Sequence, residues 1–409
     1  MTTFFHPTEA LPRAEWDRLM AERLRGTVAH AYARTAAGRR AVDAAGGGAA
    51  FRGPDDLVRL PLLRKGSLPA LQSADPPFGG WNALPVDRLR RVFVSPGPIY
   101  DPEGPAEDYW GFAPALHAAG FQPGDLVLNT FAYHLTPAGH MFDGALGVLG
   151  CAVIPGGVGN TEAQIRTARE LRPRGYIGTP SFLATLLEKM DGEGPFRVAF
   201  VSGEILTATL RADLERREVR VSQGYATADV GLIAHECERR DGLHLSDRVF
   251  VEIVDPESGQ PAGGGEAGEV VVTFLSEVYP LLRLATGDLS ALDLGSCPCG
   301  RGSPRLSRMR GRVGDAVKVR GMFLHPNEVA LALAGLPQVR RYQLAVTRDA
   351  HQDRLTARVE LAEAAEETAA TAVADRLREI TRLRAEVEIL PPGTLPEGAA
   401  PIVDERQWD

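Results

Sequence analysis

The sequence predicts an α/β protein: a large N-terminal domain with doubly wound sheets plus a β-rich part, then a small α+β C-terminal domain. Three observations carry that prediction. Helix and strand patterns alternate from residue 107 to 201, as repeated βα units of a parallel sheet do. Short apolar runs separated by turn residues take over between 245 and 295, and a second, smaller alternation begins after Gly311. A chain of 409 residues has room for two or three domains, and we divide it into 1–313 and 314–409. Within the first, 1–90 is a helical arm and connection, 91–244 the α/β core and 245–313 the β-rich part.

Between Thr8 and about Gly46, Leu11, Trp16, Leu19, Met20, Leu24, Val28, Ala31 and Tyr32 recur at helical spacing, and Gly46-Gly47-Gly48 ends the pattern. The Pro/Gly-rich stretch that follows reads as irregular connection leading to a short strand, Arg91-Val92-Phe93-Val94. The alternating units are helix 107–119, strand 126–129, helix 138–149, strand 152–154, helix 161–171, strand 175–178, helix 180–190 and strand 197–201. Ligands of such sheets bind in loops beyond the strand carboxyl ends, which here are 131–140, 155–160, 179–181 and 202–204. Val249–Val254 and Glu269–Phe274 read as antiparallel strands joined by turns, in the manner of a distorted barrel. The last domain predicts strand 316–319, helix 326–336, strands 340–347 and 353–361, helix 364–382 and strand 385–390.

Composition narrows the function classes. Hydrophobic residues at 44% and charged ones at 24% match a soluble globular chain and exclude a disordered or fibrous one. The formal net charge of −8 comes without a long run of one sign, so no nucleic-acid partner is expected. No run of about 18 apolar residues and no basic-then-apolar leader occurs, which predicts a cytoplasmic protein with no membrane partner. Lysine occurs only at 65, 189 and 318, so few lysines are available for chemistry.

The most specific strings are Thr286-Gly287-Asp288 and Gly311-Arg312-Val313-Gly314-Asp315-Ala316-Val317-Lys318-Val319-Arg320-Gly321. Together they resemble paired motifs of the adenylate-forming (acyl-CoA synthetase) superfamily, in its phenylacetate:coenzyme A ligase-like branch. Gly150 through Glu162, Gly178-Thr179-Pro180-Ser181, Val201-Ser202-Gly203-Glu204 and Tyr225-Ala226-Thr227-Ala228-Asp229 are similar too, in the right order over almost the whole chain.

The resemblance implies an acid:coenzyme A ligase that makes an acyl-adenylate from ATP and an aromatic or other small carboxylic acid, then the thioester. A carboxylate such as Asp288 can accept both ribose hydroxyls, with Arg312 adding a donor beside it. By the resemblance, Tyr225 with Ala226 and Thr227 lies at the adenine, Ser202-Gly203-Glu204 lines the purine pocket, and Asp229 takes the family glutamate's place as Mg2+ ligand. Tyr133 and His134, with Pro180 and Gly224, would wall the acid pocket. The C-terminal domain would be mobile about a hinge at Gly314-Asp315, bringing Lys318 to the site for thioester formation.

Three departures accompany the match. Ala285 stands where the family has an arginine before Thr-Gly-Asp. The family's Ser/Thr/Gly-rich phosphate loop is replaced by Val94-Ser95-Pro96-Gly97-Pro98-Ile99-Tyr100, whose prolines lack N–H donors. The C-terminal adenylation lysine is missing, its place falling at Ala399 or Ala400. Replacement of that lysine by alanine, an arginine doing its work, and loss of adenylation are three open explanations. An ATP-independent acyltransferase between coenzyme A and a carrier protein, and a non-catalytic acyl-CoA or nucleotide sensor, are therefore kept as alternatives.

Cys297 and Cys299, with the distant pair Cys237 and His244, supply the four soft or borderline ligands of a closed structural zinc site, with His235 as an alternative ligand. Trp16 and Phe4-Phe5 of the arm could pack on a second subunit of a homodimer.

Overall fold

The helical arm is two helices, α1 (Arg13–Arg34) and α2 (Ala36–Ala44). The computed structural model describes residues 4–256, 258–263, 265–307, 309, 311–313, 317–320, 322–324, 326–334, 336–349, 352–362 and 367–406. On α1, Trp16, Met20, Leu24, Val28 and Ala31 are buried along one stripe, the 3- and 4-residue spacing that a single helix face demands. Thr35 caps α2 by accepting the Gly38 N–H at 3.0 Å.

Beyond the arm come β1 (Leu63–Arg64), α3 (Leu68–Ala74) and a hairpin of β2 (Arg91–Ser95) and β3 (Ile99–Glu103). Only the first hairpin strand was predicted. Pro102 masks β3, yet the pair forms a separate two-stranded sheet in which a proline is tolerated. Next are α4 (Ala113–Ala119), β4 (Leu126–Asn129), α5 (Ala138–Val148), β5 (Ala152–Pro155), α6 (Thr161–Leu171), β6 (Gly175–Gly178), α7 (Pro180–Lys189), β7 (Val198–Val201) and α8 (Ala208–Arg216). The helix expected from 107 begins at 113, because Asp108 accepts the N–H groups of Phe112 (2.9 Å) and Ala113 (2.8 Å).

The chain continues through β8 (Arg220–Thr227), β9 (Gly231–Glu236), β10 (Leu243–Leu245), β11 (Val249–Val254), β12 (Gly268–Phe274), β13 (Leu284–Ser290), β14 (Leu292–Asp293) and β15 (Arg305–Leu306). A nine-stranded sheet runs β14-β15-β10-β9-β8-β7-β6-β4-β5. Its β5-β4-β6-β7-β8 half is parallel, and β6 and β7 are buried along their whole length, as strands covered on both faces are. Strand β8 is the pivot: residues 220–223 pair parallel with β7, and residues 224–227 pair antiparallel with β9.

A second sheet has the order β1-β13-β12-β11, with β16 (Gly311–Arg312) also on β13. The distorted barrel expected here is an open sheet among the described residues. The two-residue β1 joins parallel to β13 (Leu63 opposite Leu284, Arg64 opposite Ala285), and β11 lies at the other end of the order, beside β12.

Two compact units result: one of Met1–Leu206 with Arg211–Gly311, the other of Thr207–Leu210 with Arg312–Asp409. One continuous apolar cluster runs through the arm and both sheets of the first unit. The second unit carries β17 (Val317–Val319), β18 (Met322–Leu324), α9 (Pro326–Ala334), β19 (Val339–Asp349), β20 (Gln352–Leu361), α10 (Glu367–Thr381), β21 (Glu386–Leu390) and β22 (Ile402–Asp404). Its sheet has the order β21-β20-β19-β22, over a core that includes Val329, Leu344, Val346, Val359, Val373 and Leu377. The hinge residues Gly314 and Asp315, and Gly321, lie outside the described residues.

Candidate active site

The carboxyl ends of β4, β6, β7 and β8 form one neighbourhood. Ser202, just past β7, donates to the Gly224 carbonyl on β8 at 2.9 Å. Gly203 turns the chain at φ +86, a left-handed conformation that favours glycine, and the Glu204 carboxylate accepts the Ser181 N–H at 3.4 Å. Pro180 opens α7 beside Thr179, its N-cap. At Gly224 a side chain would collide with the Phe200 ring, so glycine keeps the strands close.

Across from these ends stands β13. Its Gly287, at φ +79, turns the backbone so that its N–H reaches Glu269 (3.0 Å) while the Asp288 N–H reaches the Thr286 hydroxyl (3.1 Å). The Tyr225 hydroxyl donates to the half-buried Asp288 carboxylate at 2.8 Å, so two motifs 63 residues apart meet at one hydrogen bond. Thr227 is half-buried, and its hydroxyl has no hydrogen-bond partner among the described residues.

Asp229 is wholly buried, and the ammonium of Lys65 lies 2.6 Å from its carboxylate. Lys65 reaches it because β1, the strand before it, is zipped onto β13. Next to this pair is Asp101 of β3, also wholly buried, with neither carboxylate oxygen hydrogen-bonded among the described residues. Burial first, and the charge of Asp229 second, hold the Asp101 carboxyl well above the usual carboxylate range. Sequence reasoning missed both partners. Lys65 was visible only as one of three lysines, and nothing local marked Asp101. Between β2 and β3 only Pro96, Gly97 and Pro98 remain, a turn that can offer a single backbone N–H.

Tyr133 is half-buried, with its hydroxyl on Asp143 at 2.7 Å; burial, then this carboxylate, raises its pKa. Its ring packs edge-on to His140, 5.2 Å between centroids, and His140 in turn rests on Phe93. Burial lowers the His140 pKa. His134 is exposed. Arg312 and Lys318 stand at the beginning of the second unit, Lys318 on β17.

Away from these strand ends, Cys237, His244, Cys297 and Cys299 come together, all buried. His235 instead places Nδ1 2.9 Å from the Glu236 carbonyl. Trp16 is buried and Phe4 lies 5.2 Å from the Arg301 guanidinium, so both aromatics pack on their own chain. A cavity of about 830 Å3 between the arm and residues 247–248 contains none of the predicted site residues.

A pivoting sheet, a Thr-Gly-Asp strand facing its carboxyl ends and a separate small α+β unit define the adenylate-forming class of enzymes. Residues 321–406 match the family described as the AMP-binding enzyme C-terminal domain. The chain is 33% identical over 376 residues to a phenylacetate-coenzyme A ligase of Thermus thermophilus, covering 87% of this chain and 83% of that one. It is 32% identical over 390 residues to the phenylacetate-coenzyme A ligase of Escherichia coli, with 88% and 86% covered. Among solved structures, a 2-hydroxyisobutyryl-CoA ligase in complex with 2-HIB-AMP and CoA in the thioesterification state superposes with a TM-score of 0.90. That pair shares 25% identity, with 99% of this chain and 93% of the other covered. The chain belongs to the phenylacetate-coenzyme A ligase family. Among the described residues no helix is long and apolar enough to cross a membrane.

Proposed function

We propose that this chain is an acid:coenzyme A ligase, AMP-forming, that joins ATP and an aromatic or other small carboxylic acid into an acyl-adenylate and passes the acyl group to coenzyme A. The observation that carries the reading is the Tyr225–Asp288 hydrogen bond of 2.8 Å. It fixes a carboxylate at the strand carboxyl ends, and a carboxylate is the group that can accept both hydroxyls of a ribose. Tyr225, Ala226 and Thr227 then flank the adenine, Ser202-Gly203-Glu204 lines its pocket, and Tyr133, Pro180 and Gly224 border the acid. His134, being exposed, is a gate residue in this reading and not an acid or base. Arg312 is assigned to the nucleotide and Lys318 to the thioester step.

Asp229 Oδ1 and both Asp101 carboxyl oxygens are buried with no hydrogen-bond partner among the described residues, a donor set that suits a hard divalent cation. Mg2+, when bound, would supply positive charge beside the triphosphate, held chiefly by Asp229. Lys65 already neutralises one Asp229 oxygen, and it is the lysine of the first unit that stands at this carboxylate. Developing phosphate charge needs such preorganised donors, which the three-residue hairpin turn supplies poorly.

That turn favours a second reading, transfer of an acyl group between coenzyme A and a carrier protein without ATP. The test is ATP/pyrophosphate exchange over a panel of aromatic and short aliphatic acids, followed by thioester formation with coenzyme A. Acid-dependent exchange supports the ligase. Its absence, together with failure to make thioester from a synthetic acyl-adenylate and coenzyme A, would sink it, and acyl transfer from a preformed thioester would then establish the second reading.

A further inference from the structure

We infer that Cys237, His244, Cys297 and Cys299 bind one zinc ion that clamps the antiparallel end of the nine-stranded sheet to the N-terminal arm. The four residues come from three places: the end of β9, the middle of β10 and the loop between β14 and β15. Their ligand atoms nevertheless all lie within 4.8 Å of one another, and all four residues are buried.

The spacing is that of a metal tetrahedron. With Zn–S of about 2.3 Å and Zn–N of about 2.0–2.1 Å, tetrahedral edges are about 3.8 Å between sulfurs and about 3.6 Å between sulfur and nitrogen. The Cys237 and Cys297 sulfurs are 3.8 Å apart, and the Cys299 sulfur is 3.3 Å from His244 Nε2. A disulfide needs sulfurs about 2.0 Å apart, so this pair is not one. Three thiols and an imidazole gathered this closely select zinc over the hard oxygen-seeking cations.

The surroundings are those of a ligand set. His244 Nδ1 lies 3.0 Å from the Ser303 hydroxyl, and donation of its N–H there turns the Nε2 lone pair toward the sulfurs. Backbone N–H groups of Arg239 and Arg301 point at the Cys237 and Cys299 sulfurs, each at 3.4 Å, as donors to thiolates do. In the Cys297–Gly300 turn the Gly300 N–H returns to the Cys297 carbonyl at 3.1 Å, with Gly300 at φ +89. The site has four protein ligands and no open position, so its role is structural and independent of the ligase chemistry. The loop it fixes carries Arg301, whose guanidinium is 3.0 Å from Glu9 and stacks on Phe4.

The test is metal analysis of the full chain purified without chelator. One zinc per chain is expected, lost in Cys299→Ser and Cys237→Ser, with residues before Arg13 becoming protease-sensitive in those variants. Should a variant fail to fold, wild-type protein grown with Co2+ must show the thiolate-to-cobalt charge-transfer band and the intense visible bands of a tetrahedral site. Zinc-free wild type with no cobalt spectrum, zinc retained in both serine variants, or a Cys237–Cys297 disulfide found by mass spectrometry would each overturn the assignment.

Discussion

Replacing Lys65 by Met removes the cation from a carboxylate that has no access to water. Asp229 is 0% exposed and Lys65 18% exposed at its side chain, so solvent screens the pair only weakly. Breaking one side of such a buried pair costs about 3–5 kcal/mol. The partial exposure of Lys65 puts the expected loss at the lower bound, about 3 kcal/mol. Unfolding entropy is about 2.1 cal/mol/K per residue, which for a unit of about 300 residues converts that loss into a melting shift of about 5 °C. Calorimetry should therefore show the transition of the first unit lowered by that amount in Lys65→Met. In Lys65→Met/Asp229→Asn most of the loss should return, because no charge is left stranded. A single variant melting within about 1 °C of wild type, or a double variant equal to the sum of the singles, would refute a buried, coupled pair.

The other expected outcomes concern Asp101, the Tyr225–Asp288 bond and the C-terminal alanines. Because the Asp101 carboxyl is raised in the folded state, the folded chain holds its proton more tightly than the unfolded one. Its stability contribution is complete below the unfolded value of about 3.9 and is lost as pH rises through the folded value. Asp101→Asn should accordingly stabilise the chain against urea at pH 8 and change little at pH 3.5; destabilisation of equal size at both would contradict this. Tyr225→Phe, which removes one hydrogen bond to a carboxylate, should weaken AMP binding by about tenfold in calorimetry, and Asp288→Ala should abolish it. Unchanged affinity in both variants would remove Asp288 from the nucleotide site. Restoring an ammonium with Ala399→Lys or Ala400→Lys should raise ATP/pyrophosphate exchange about tenfold or more in one variant, and equal exchange in both variants and wild type would count against those positions.

How much of this was legible depended on how local each feature is. The α1 stripe follows from five apolar residues at helical spacing, and strands β6 and β7 follow from the alternation of helix and strand patterns between 107 and 201. Strands β8 and β9 went unread because 220–227 mixes Ser222, Gln223, Gly224 and Tyr225, a pattern set by the change of pairing partner at Gly224 and not by one solvated face. Tyr225, Asp288 and the strand-end loops were readable as motifs on single short segments. The Lys65–Asp229 pair spans 164 residues and Asp101 sits on a strand broken by Pro102, so only folding brings them together. Cys237, His244, Cys297 and Cys299 were readable from residue type alone, since few other side chains come in such combinations.

The short strand pairs also dictate when the chain can finish folding during synthesis. Strand β10 has an uncovered edge until β15, at Arg305–Leu306, leaves the ribosome, and β1 waits for β13 at Leu284–Ser290. A nascent chain halted near residue 280 thus presents an open apolar strand edge, Leu243-His244-Leu245, and a Lys65 not yet carried into place. Open strand edges recruit other chains, so this window is where aggregation and chaperone capture should concentrate.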